Sequence, residues 1–88
     1  METRVAVMGI IVESAESVTS LNELLHQSCQ YIIGRMGIPY RQRGINVISV
    51  VIDAPQDHIS ALAGKIGNLP GASVKTAYSN VTGDVSCP

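Results

Sequence analysis

The feature that most constrains this chain is a pattern written twice. VAVMGIIVE, residues 5–13, lines up with INVISVVID, residues 45–53, and the helically spaced Val18, Leu21 and Leu25 recur as Ile59, Leu62 and Ile66. Each apolar run is rich in β-branched residues and too short for a buried helix, so each reads as a central strand. Each stripe that follows has the i, i+3, i+7 spacing of one apolar helix face. Tyr31–Ile38 supplies another strand, and Pro39–Gly44 supplies the polar turn before Ile45. Ala72–Ser79 alternates small or apolar with polar residues as a half-exposed fourth strand. The order β-α-β-β-α-β predicts an α+β fold, a ferredoxin-like βαββαβ sandwich with a four-stranded antiparallel sheet and two helices on one face. Residues 1–79 then form a single domain, and 80–88 read as a flexible C-terminal tail.

Local signals place the helix ends. Ser14–Ser17 offers caps, with Glu13 and Glu16 near the positive end of the first helix dipole. Cys29 continues the stripe of Val18, Leu21 and Leu25 and reads as core. Asp53-Ala54-Pro55-Gln56 predicts the second helix start: Asp caps free amides, Pro is tolerated in the first turn, and Gln bonds back. Gly67 and Asn68 stop that helix, and Pro70-Gly71 makes a turn.

Both central strands are apolar on both sides. Val5, Val7 and Ile11 alternate with Ala6, Ile10 and Val12, and Ile45, Val47 and Val51 alternate with Ile48, Val50 and Ile52. Strands of this kind are buried on both faces, yet only two helices are available to cover them. The chain has 88 residues, 45% of them hydrophobic and none of them Trp or Phe. A domain of this size has a thin core, and its surplus apolar surface favours self-association. A dimer or tetramer is the expected state, with the second sheet face meeting another subunit.

Charge and cysteine usage narrow the class. Six Lys and Arg against seven Asp and Glu exclude a polyelectrolyte as the partner of the whole surface. Cys29 and Cys87 do not form a secreted disulfide framework, and METRVAVMGIIVES lacks the parts of a signal peptide or membrane span. A cytoplasmic protein with no membrane partner is expected. Asn80-Val81-Thr82 has the form of a glycosylation acceptor, but without a secretion signal it carries no weight.

Several residue sets have the chemistry of a site. Arg35, Arg41 and Arg43 hold half the cationic side chains within nine positions, beside Tyr40. Guanidinium forks bind carboxylates and other anions in pairs of hydrogen bonds, so Arg35, Tyr40, Arg41 and Arg43 are the candidate ligand contacts. The same arginines are the candidate contacts of a nucleic-acid-binding regulator. Arg43-Gly44 opens the third strand as in an RNA-recognition motif, but the stacking rings that motif needs are absent. Gly34-Arg35-Met36-Gly37 and Gly64-Lys65-Ile66-Gly67 have the form of nucleic-acid clamps in the wrong element order, so they read as a bend or bulge and a helix end. His26 and Cys29, with His58 if an interface brings it close, form an alternative metal-sensor set. No catalytic set emerges: a helix-embedded Cys in an apolar stripe is inert packing, and capping accounts for Glu13, Asp53 and Asp57. The chain is read as no enzyme, and no cofactor is identified.

The stretch from Tyr31 to Ser79 with the preceding VAVMGIIVE closely resembles the small bacterial proteins called iron-only hydrogenase system regulators. The likeness spans roughly residues 4–79, and Gly34–Tyr40 with Ser73–Tyr78 are its most specific parts. The resemblance implies a ferredoxin-like fold akin to ACT domains and to the C-terminal domain of the nickel-responsive repressor, assembled as dimers or tetramers. It also implies a part in regulating hydrogenase genes, and transfers no functional residue. That repressor grips DNA through an N-terminal ribbon-helix-helix, for which a first strand beginning near Arg4 leaves no room, so direct DNA binding is not expected without an added module. Its several nickel-binding His have no counterpart at His26 and His58. The expected function is a non-enzymatic oligomeric regulatory domain that senses a small effector at a subunit interface and passes the change to a protein partner.

Overall fold

The computed structural model describes residues 2–84. The elements are β1 (Glu2–Val12), α1 (Ala15–Gln27), β2 (Ile32–Tyr40), β3 (Ile45–Ala54), α2 (Gln56–Gly67) and β4 (Ala72–Asp84), with 3-10 turns at Cys29–Tyr31 and Arg41–Arg43. The sheet order is β2-β3-β1-β4, and each neighbouring pair is antiparallel. This is the expected βαββαβ arrangement. The two copies of the repeat pair with each other at the sheet centre, where Val7 lies opposite Val51 and Ile10 opposite Ile48.

Strand alternation decides what is buried. Ala6, Met8, Ile10 and Val12 of β1 and Ile48, Val50, Ile52 and Ala54 of β3 form one side of the core. Leu21 and Leu25 of α1 and Ile59, Leu62 and Ile66 of α2 form the other. The duplicated stripe is therefore the helical half of the core, as its spacing requires.

Two junctions are tied together at one end of the sandwich. The Glu13 amide donates to the Gly71 carbonyl at 2.7 Å, and the buried Ser17 hydroxyl donates to the Pro70 carbonyl at 2.6 Å. Gly71 has φ +71°, and a Cβ there would sit 3.1 Å from both the Cβ and the backbone nitrogen of Ser14. Only glycine combines that backbone with that approach. Gly71→Ala is expected to lower stability by about 1–3 kcal/mol, read as a lower urea midpoint at unchanged slope.

Four local expectations are corrected. Asp53 does not cap α2: it stays in β3 opposite Val5, and the N-cap position is Pro55 without a side-chain cap bond. Gln56 does not bond back either, because its Oε1 accepts from Arg4 at 3.1 Å. The same guanidinium donates from Nε to the Ser79 carbonyl at 2.9 Å and lies 4.8 Å from the Tyr78 ring centre, joining β1, α2 and β4. Cys29 is exposed rather than core. Helix α1 ends at Gln27, and Ser28 takes the buried place after Leu21 and Leu25. Finally, β4 continues to Asp84 opposite Glu2, so residues 80–84 extend the sheet where a tail was expected. The rest of the expected tail, including Cys87, lies outside the described residues. Strand β2 has a register shift between Ile32 and Gly34, just ahead of the Gly34–Gly37 segment, which itself pairs in regular register with β3. Among the described residues, no helix is long and apolar enough to cross a membrane.

Candidate functional site

The pairing register separates the two faces of the sheet residue by residue. With Ile48, Val50 and Ile52 facing the helices, their neighbours Val47, Ser49 and Val51 must face away. Register then places Val7, Gly9 and Ile11 of β1, Ser73, Lys75 and Ala77 of β4, and Met36, Ile38 and Tyr40 of β2 on that same open face. No described element covers it. Val7 and Ile11 are each 42% exposed, Val47 37%, Ile38 50% and Met36 60%. Asp53 of β3 and Lys75 of β4 are the charged side chains that register puts there, one of each sign.

A shallow groove of about 310 Å³ crosses this face at Gly9, bordered by Ile11, Val47, Ser73 and Lys75. Gly9 makes the depression: with no side chain, it leaves a gap between its neighbours Ser49 and Lys75. A surface of this kind accepts an apolar knob. Four strands at ~4.8 Å spacing and the length of β3 give the face roughly 500 Å² in projection, before side-chain relief adds area. Exposed apolar side chains gathered on one uncovered face mark an interaction site.

The arginines do not form a single patch. Tyr40, Arg41 and Arg43 gather at the tip of the β2–β3 hairpin, where the Tyr40 hydroxyl donates to Gln42 Oε1 at 3.0 Å and Gly44 closes the turn at φ +65°. Arg35 lies five residues back on β2, opposite Val50 and so on the helix side of the strand. It donates to Asn22 Oδ1 of α1 at 2.8 Å. Both partners are exposed, so Arg35→Ala is expected to change stability by no more than about 0.5 kcal/mol, measurable by chemical denaturation. The tip alone remains a candidate for anion contact.

The alternative metal set is dispersed. His26 is exposed on α1, Cys29 is exposed in the 3-10 turn after the helix, and His58 is half-buried at the start of α2. His58 is engaged elsewhere: its Nε2 hydrogen-bonds the buried Ser28 hydroxyl at 2.9 Å, and its ring lies 4.5 Å from that of Tyr31, tilted by 54°. Among the described residues, no group of three or more His, Cys, Asp or Glu side chains could hold a metal ion. Sequence reasoning missed Ser28. The available signal was its spacing from Leu21 and Leu25, which continues the core stripe at i+7 and i+3 as well as Cys29 does at i+8 and i+4.

Comparison with known proteins agrees with this architecture. The chain is similar to the protein TM1266 of Thermotoga maritima, with 34% sequence identity and a TM-score of 0.83, over 86% of this chain and 96% of that one. It also resembles part of a formyltetrahydrofolate deformylase from Pseudomonas putida, with 16% identity and a TM-score of 0.64. That match covers 88% of this chain but 29% of the enzyme, and it shows a shared fold alone. No protein of curated function matches. The model of the TM1266-like family, described as "Iron-only hydrogenase system regulator, putative", matches residues 4–76. The chain therefore belongs to the TM1266-like family of iron-only hydrogenase system regulators.

Proposed function

We propose that the protein is a non-enzymatic regulatory domain acting as a homo-oligomer, in which a second copy of the chain covers the open sheet face. The observation that carries this reading is the row Val7, Ile11, Val47 and Ile38, apolar and exposed across three strands. A second copy fits better than a charged partner. Asp53 and Lys75 put one charge of each sign on the face, so two copies related by a twofold axis present complementary surfaces.

Regulation then lies in the assembly. A small anionic effector bound by Tyr40, Arg41 and Arg43, at the rim of the face, would contact both copies and shift the population between assembly states. The family to which the chain belongs agrees with a regulatory role in the hydrogenase system. Sedimentation equilibrium from low to high micromolar concentration tests the reading. A self-associating species with a mass that is a multiple of one chain is expected, and one chain's mass throughout would overturn it.

A further inference from the structure

The open sheet face carries a hole and a knob at the same level. Met36, Ser49, Gly9 and Lys75 stand side by side across β2, β3, β1 and β4. Gly9 lies in the groove bordered by Ile11, Val47, Ser73 and Lys75. Met36, two strands away, is 60% exposed, more than any other apolar side chain that register puts on this face.

Nothing within one copy requires glycine at position 9. Its backbone is not left-handed, since positive φ is confined to Gly44 and Gly71 among the described glycines. A Cβ there would meet the Lys75 carbonyl at 3.9 Å, an ordinary van der Waals contact. Glycine inside a strand costs stability, and it marks a place where another backbone or side chain comes close. Gly34, on the same face, has equal room: a Cβ there would have nothing within 4 Å. It lies opposite Val51, which lies opposite Val7, so Gly34 and the exposed Val7 are also level and two strands apart.

A separation of two strands suits a twofold axis. β2 and β1 flank β3 at about 4.8 Å on either side. An axis running along β3 between two sheets therefore lays β2 of each copy on β1 of the other. Met36 then stands over the second copy's glycine at position 9, and Val7 over its glycine at position 34, so each vacant position receives an exposed apolar side chain. β4 falls outside the overlap, which leaves the Lys75 ammonium in water. Packed sheets cross at about 30°, which swings Asp53, four residues along β3 from Ser49, away from its counterpart.

From this juxtaposition we infer that Gly9 is the socket for Met36 of a second copy, and that this pair fixes how the two sheets dock. The inference rests on the pairing of open faces proposed above and adds its register. An unbranched thioether side chain suits an irregular hole because it adapts its shape.

Sedimentation equilibrium of the full chain and three variants tests the inference. Gly9→Val fills the socket and is expected to weaken association at least about tenfold, with the circular dichroism of the native fold. Met36→Ala is expected to weaken it as well. In Gly9→Val with Met36→Ala, the loss should be smaller than the product of the two single losses, because both substitutions remove the same contact. In the Val47→Lys background, where copies do not pair, Gly9→Val should leave the urea midpoint equal or higher. One chain's mass for the wild type at all concentrations would overturn the pairing of faces and the inference with it. Wild-type association that Gly9→Val leaves unchanged, single losses that simply multiply, or a lowered urea midpoint in the Val47→Lys background would each overturn the inference alone.

Discussion

Ile10→Ala is expected to destabilise the fold by about 3–5 kcal/mol, the largest stability change from a single truncation. Ile10 is 0% exposed on the central strand β1, flanked by Ile48 on β3 and Val74 on β4. Removing it deletes apolar contacts in a core of mostly aliphatic side chains. The two neighbouring strands are fixed by their hydrogen-bond ladders and cannot close the gap, so the loss includes the cavity as well as the transfer of the missing methyls. For a domain of this length the whole margin is about 4–13 kcal/mol, so the variant sits near the edge of folding. Urea denaturation at fixed protein concentration reads the difference. A loss below about 1 kcal/mol would mean that β1 is not the centre of the sheet.

Val47→Lys has the opposite signature: little change in the fold and a large change in association. Val47 is 37% exposed on the open face, opposite Ile11 on one side and Ile38 on the other. A lysine there keeps its stem on the sheet and its ammonium in water as long as the copy is alone. In the paired state, each ammonium is desolvated against the other copy's apolar face without a partner, at a penalty of at least several kcal/mol per dimer. Since each 1.4 kcal/mol is a factor of ten, self-association should weaken by at least about a hundredfold. Circular dichroism should show the native fold while sedimentation shows one chain's mass. Retention of the wild-type assembly would place the interface elsewhere.

Much of this architecture is legible in the residues themselves. The duplicated strand and stripe, VAVMGIIVE with Leu21 and Leu25 and INVISVVID with Leu62 and Ile66, place two central strands and two helices because both periodicities are strong and repeated. The open face is legible for the same reason: Val7, Ile11 and Val47 are apolar at positions that alternation turns away from the helices. What escapes the sequence depends on which partner wins a contact. Gln56 has the residue type and spacing of a capping partner, yet Arg4, distant in sequence, takes its oxygen. Cys29 fits the helical stripe, but a 3-10 turn one residue past the helix hands the buried position to Ser28. The three arginines look like one cluster along the chain, and strand alternation puts Arg35 on the opposite side from Tyr40.

The pairing of open sheet faces is tested most directly by an isotope-filtered NOE experiment. Chains with carbon-13-labelled methyl groups are mixed with unlabelled chains, so that only contacts between copies are recorded. The account predicts intermolecular cross-peaks among the methyls of Val7, Ile11, Ile38 and Val47. An assembly whose intermolecular contacts involve only helix residues, or a sample with no intermolecular contacts at millimolar concentration, would contradict it.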